Sequence, residues 1–76
     1  MDNEELPQGY DKMMEFLDAE DYNKKLDILE RMRYNDVVDT VVLNNMAASI
    51  DVVLADGDVE DMLRQLIDCV RTRARY

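Results

Sequence analysis

The stretch Val37–Ala55, VVDTVVLNNMAASIDVVLA, decides the fold: thirteen of its nineteen residues are apolar. On a helical wheel it is apolar almost all round, with a polar wedge at Thr40, Asn44 and Asp51. A helix of that kind has to be covered on most sides. Two stripes run along it. Leu43, Ala47, Ile50 and Leu54 recur at steps of four, three and four, and Leu43, Ile50 and Leu54 would face the chain's own core. Val38, Val41, Asn45, Ala48, Val52 and Ala55 recur at alternating steps of three and four, which is a heptad seam. Eight of the nineteen residues are β-branched and lose χ1 freedom in a helix, so a strand competes locally. The run is too long for one strand and lacks strict alternation. A helix over 37–55 is therefore expected, opened by Asp36 and closed by Gly57 as its left-handed C-terminal residue.

Outward from there the pattern stays helical. Downstream, Asp58 is set to cap a helix over 58–74, in which Val59, Met62, Leu63, Leu66, Ile67, Val70 and Ala74 form one face. Cys69 lies on the flank of that face and is expected to pack as a small hydrophobe. Upstream, Tyr22, Leu26, Ile28, Leu29 and Met32 mark a helix over 19–34, with Asp18 as N-cap and Asn35 as the residue past its end. Glu20–Lys24, Asp21–Lys25 and Asp27–Arg31 are spaced i,i+4 in the favourable order. A short first helix over 8–17 would bury Tyr10, Met13, Met14 and Leu17. Residues 1–7 read as a flexible acidic terminus and 8–76 as a single domain. The expected fold is all-α: a small bundle of three main antiparallel helices plus a short N-terminal helix, dimeric because so short a chain has a thin core. The dimer seam would be Val38, Val41, Asn45, Ala48 and Val52.

Composition narrows the chemistry. The chain has no histidine, a single cysteine and one serine, Ser49, inside the apolar stretch. The commonest general base, an intrachain disulfide and paired-thiol metal sites are thereby removed. No phosphate-binding or dinucleotide motif is present. Aligning Gly57 with the invariant glycine of a calcium loop puts Val52, Leu54 and Leu63 where oxygen ligands are needed, so that motif fails. No catalytic activity, cofactor or metal is expected. The start, MDNEELPQG, lacks the apolar core of a leader, and a cytoplasmic location without membrane contact is expected.

Charge is the remaining signal. Eighteen acids oppose nine bases, a net charge of −9 that disfavours direct contact with nucleic acid. Residues 1–61 hold seventeen acids and five bases, whereas Arg64, Arg71, Arg73 and Arg75 outnumber Asp68 beyond them. That basic end suits a helix C-terminus. Residues 1–21 contain eight acids and one base, Lys12. Double-stranded DNA carries roughly one charge per 3.4 Å of each strand, and carboxylates one helical turn apart approach that density. The composition is similar to that of small acidic helical DNA mimics carried by phages and mobile elements. The expectation is a protein-binding module or inhibitor whose Asp11, Glu15, Asp18, Glu20 and Asp21 engage a basic, nucleic-acid-binding partner. The alternative is a structural or assembly subunit joined through the apolar central stretch.

Overall fold

A computed structural model describes residues 6–35 and 38–74. Four α-helices follow one another: α1 (Tyr10–Asp18), α2 (Tyr22–Asn35), α3 (Thr40–Ala48) and α4 (Val59–Ala74). No strand occurs among the described residues. The expected all-α class is therefore observed, with two long helices and two short ones rather than three long and one short. α2 packs most extensively on α4, α1 touches α2 and α3, and α3 touches α4. All four contribute to one core, in which Phe16, Leu29, Met32, Val42, Leu43, Met46, Leu66 and Val70 are fully buried.

α1 begins where Gly9 adopts a left-handed backbone, φ 90°. A Cβ there would lie 3.1 Å from a methyl of Val38, so only glycine fits both the backbone and the packing. The Asp39 N–H donates to the Gln8 carbonyl at 3.0 Å, tying the entry of α3 to the start of α1. α1 does not bury the face expected from its spacing. Met13 and Phe16 enter the core, while Met14 and Leu17 stay exposed. Burying the only phenylalanine removes more apolar surface from water than burying either aliphatic neighbour, and the helix turns accordingly.

α1 ends at Asp18, so Asp18 is not the N-cap of α2. That role falls to Asp21, whose Oδ1 accepts from the Lys24 N–H at 2.9 Å. Asn35 is the last residue of α2 rather than a residue beyond it. Of the three i,i+4 pairs read in α2, Asp27–Arg31 closes at 3.3 Å. Lys25 turns the other way. It is 8% exposed, and its Nζ donates to the Phe16 carbonyl at 2.7 Å while lying 4.6 Å from the Phe16 ring centre. A cation placed on the last carbonyls of α1 complements that helix's dipole.

α3 is the principal correction. Asp36 lies outside the described residues, and the helix starts at Thr40 with Asp39 in extended backbone as its cap. It then stops at Ala48 instead of running to Ala55. Asp51 takes the left-handed conformation at φ 61°. The Val52 N–H returns to the Ala47 carbonyl at 2.9 Å and the Asp51 N–H to Ala48 at 3.1 Å. This is a left-handed C-terminal cap made with aspartate where glycine is usual. Four β-branched or bulky residues follow or flank it (Ile50, Val52, Val53, Leu54), and the chain beyond Asp51 runs without helix to Asp58. Gln65 of α4 holds this run: its Oε1 accepts from the Ala55 N–H at 2.9 Å, and its Nε2 donates to the Ala55 carbonyl at 3.3 Å. Gly57 therefore closes no helix. It passes close to Asp61, whose Cβ would be 3.1 Å from a Cβ at Gly57.

α4 follows its sequence reading. The Asp58 carboxylate accepts from the Asp61 N–H at 2.9 Å, and Met62, Leu63, Leu66, Ile67 and Val70 are buried. Cys69 is half-buried on the flank. The basic end serves the fold directly. Arg73 donates to the Ile50 carbonyl at 2.7 Å, and Arg71 meets Glu30 of α2 at 3.1 Å. No helix among the described residues is long and apolar enough to cross a membrane.

Candidate acidic interface

The acids singled out in the sequence fall on two sides of the α1–α2 junction, and all five are exposed. Asp11, Glu15 and Asp18 share one flank of α1 because they are spaced four and three residues apart. The turn between the helices is short, Ala19–Asp21, so Asp18 and Asp21 come to the same groove. That groove encloses about 580 Å³ and is open to solvent, with Glu15, Asp18, Asp21 and Asp27 as its acids and Lys24 and Arg31 as its bases. Ala19 and Ile28 supply apolar wall. Glu20 does not line this groove; it lines a smaller hollow beside it with Asp21, Tyr22, Asn23 and Arg73, Asp21 and Asn23 being common to both.

Not every carboxylate is available. Glu15 lies 3.7 Å from Lys12, and Asp27 is held by Arg31. Among the described residues, Asp11, Asp18, Glu20 and Asp21 have no cationic side chain within salt-bridge distance. Asp27 belongs to the acidic groove although it is not one of the five acids that the sequence pattern singles out. It sits beyond the charge run of residues 1–21, and only the α1–α2 hairpin brings it alongside Glu15 and Asp18. The described acidic residues include no group of three or more arranged to hold a metal ion.

The seam residues are dispersed. Val38 precedes α3 and is buried in the chain's own core, and Val52 packs against that core from beyond the end of α3. Val41, Asn45 and Ala48 remain exposed on α3. Asn45 Nδ2 donates to the Val41 carbonyl at 3.0 Å, and the Ser49 hydroxyl donates to the Met46 carbonyl at 2.6 Å. Both polar side chains thus satisfy themselves on their own helix. Met13, Met32, Met46 and Met62 are all spent on the core, which leaves Met14 as the exposed methionine among the described residues.

Comparison with protein-family models, curated proteins and solved structures finds no match to this chain.

Proposed function

We propose that the protein is a small acidic binding module of the cytoplasm. It would occupy the nucleic-acid-binding surface of a basic partner protein in the manner of a DNA mimic or inhibitor. The observation that carries this reading is that Asp18 and Asp21, neither ion-paired among the described residues, share one open groove with the paired Glu15 and Asp27, with Asp11 a turn away on α1. A net charge of −9 raises the rate of encounter with a basic surface, and the exposed carboxylates then take the places of phosphates against lysines and arginines. Such binding weakens steeply with salt.

The test is competition. Partners are captured from the source cells on the wild-type protein, purified, and challenged with duplex DNA. The wild type should displace DNA from the captured partner, and Glu15→Lys with Asp18→Lys should not. Unchanged binding of the charge-reversed protein at physiological salt would end this reading.

A second reading, an assembly subunit or homodimer joined through α3, draws on two exposed valines. Val41 is 50% exposed on α3, and Val53 is 95% exposed on the segment after it. It requires association that is insensitive to salt and is lost in Val41→Glu. Light scattering at high concentration separates it from the first.

A further inference from the structure

The turn of α1 that buries Phe16 has a consequence on its outer side. Met14 and Leu17, one helical turn apart, are left 47% and 43% exposed. Beside them on the same helix run Asp11, Glu15 and Asp18, all exposed. The outward surface of α1 is thus an apolar strip bordered lengthwise by an acidic strip. A surface meant only for solvation does not need the first, and an imitation of a phosphate backbone does not use it.

We infer that α1 is a docking site for a basic amphipathic helix of the partner protein. Its apolar residues would cover Met14 and Leu17, and its lysines or arginines would lie along Asp11, Glu15 and Asp18. The inference rests on the acidic-module reading and specifies its partner. Charge complementarity selects the occupant. A second copy of this chain would oppose three carboxylates with the same three, whereas a basic helix neutralises them. The apolar strip selects an amphipathic helix over an extended basic tail, because two anchors spaced i,i+3 match a helix face laid against them. An exposed methionine adapts its shape to differing partners.

The experiment uses the full chain and two synthetic peptides of identical composition. In one, leucines and lysines occupy opposite helical faces; in the other they are scrambled. Affinity is read by fluorescence anisotropy, and the binding face by the methyl resonances of ¹³C-methionine-labelled protein. The amphipathic peptide should bind about tenfold more tightly than the scrambled one, the scale expected for covering two half-exposed apolar side chains. The Met14 methyl should shift, while those of the buried Met32 and Met46 stay in place. Met14→Ser with Leu17→Ser should erase the preference between peptides and keep the salt dependence. Asp11→Asn, Glu15→Gln and Asp18→Asn together should weaken both peptides. Equal binding of the two peptides, or a preference that survives Met14→Ser with Leu17→Ser, overturns the docking site while leaving the acidic module standing. Binding of neither peptide at low salt overturns both. Self-association of the free protein that is lost on Met14→Ser with Leu17→Ser also overturns the docking site, because the strip would then belong to a dimer.

Discussion

α4 and the apolar stretch before it both supply the core, yet they behave oppositely. In α4 the apolar positions form one stripe, a carboxylate caps the start, and Met62, Leu63, Leu66, Ile67 and Val70 of the expected face are buried, with Val59 and Ala74 at its two ends half-buried. In the earlier stretch, hydrophobic residues point everywhere, and the chain resolves the excess by breaking. Val42, Leu43, Met46 and Ala47 are buried from a short helix, Ile50 reaches the same core from the turn that ends it, and Leu54 reaches it after the left-handed residue Asp51. Amphipathic patterning specifies one answer because only one face can be buried. A uniformly apolar run specifies burial without specifying the path.

The largest expected contrast is between Leu66 and Val53. Leu66 is fully buried in α4, so Leu66→Ala should lower stability by about 2–5 kcal/mol, a large share of the total for a chain of this size. Val53 is almost wholly solvated, and Val53→Ala should change stability by less than about 0.5 kcal/mol. Urea unfolding of both variants measures the difference. A large loss at Val53 would mean that the segment after Asp51 is covered in solution.

Asp51 provides a test of sign. Left-handed backbone is strained for a side chain with a Cβ, so Asp51→Gly should raise stability, by up to about 1 kcal/mol. Asp51→Val should lower it by about 1–2 kcal/mol or more. If the helix instead ran through to Ala55, Asp51→Gly would lower stability, by about 0.3 kcal/mol, because aspartate is itself a poor helix former. Thermal melts of the two variants would therefore decide the path of the chain.

A smaller pair compares the devices at the two ends of the connection. Gln65→Ala removes both hydrogen bonds to Ala55 and should cost about 1–2 kcal/mol. Asp58→Ala removes the cap of α4 and should cost about 1 kcal/mol. Hydrogen exchange should separate them. Loss of Gln65 loosens the amide of Ala55, and loss of Asp58 frays the first turn of α4.

Legibility followed the same division. The helices, the Asp58 cap and the core face of α4 could be read because each combined a periodic pattern with a local stop or start signal. The end of α3 could not. Its signal is an aspartate among β-branched residues, and aspartate tolerates the left-handed region only as a second choice after glycine. Phe16 was missed because the spacing of Tyr10, Met13, Met14 and Leu17 offers a plausible face. The competition between two overlapping faces is settled by what α2 and α3 present, which no local pattern contains. The acidic groove was half legible: Glu15, Asp18 and Asp21 stand in one charge run, whereas Asp27 joins them only through the packing of α1 on α2.

Lys25 gives the smallest expected effect and the one that depends on pH. Burial holds its ammonium below the ordinary lysine value of 10.5, because charge is less well solvated there than in water. In the unfolded chain the group keeps its ordinary affinity for a proton. Between the lowered folded value and 10.5, the unfolded state therefore binds more protons than the native state. Stability contributed by this residue consequently rises with pH across that window, and is least at pH values below it. The neutral amine can still donate to the Phe16 carbonyl, so deprotonation removes the desolvation cost without removing the hydrogen bond. Lys25→Met cannot titrate and loses the bond to Phe16. The stability difference, wild type minus Lys25→Met, should increase from pH 8 toward pH 10.5, with tyrosine ionisation common to both proteins cancelling. Urea unfolding at stepped pH measures it. A difference that falls over this range would show that the ammonium form is favoured at this site, with the helix dipole and the Phe16 ring outweighing burial.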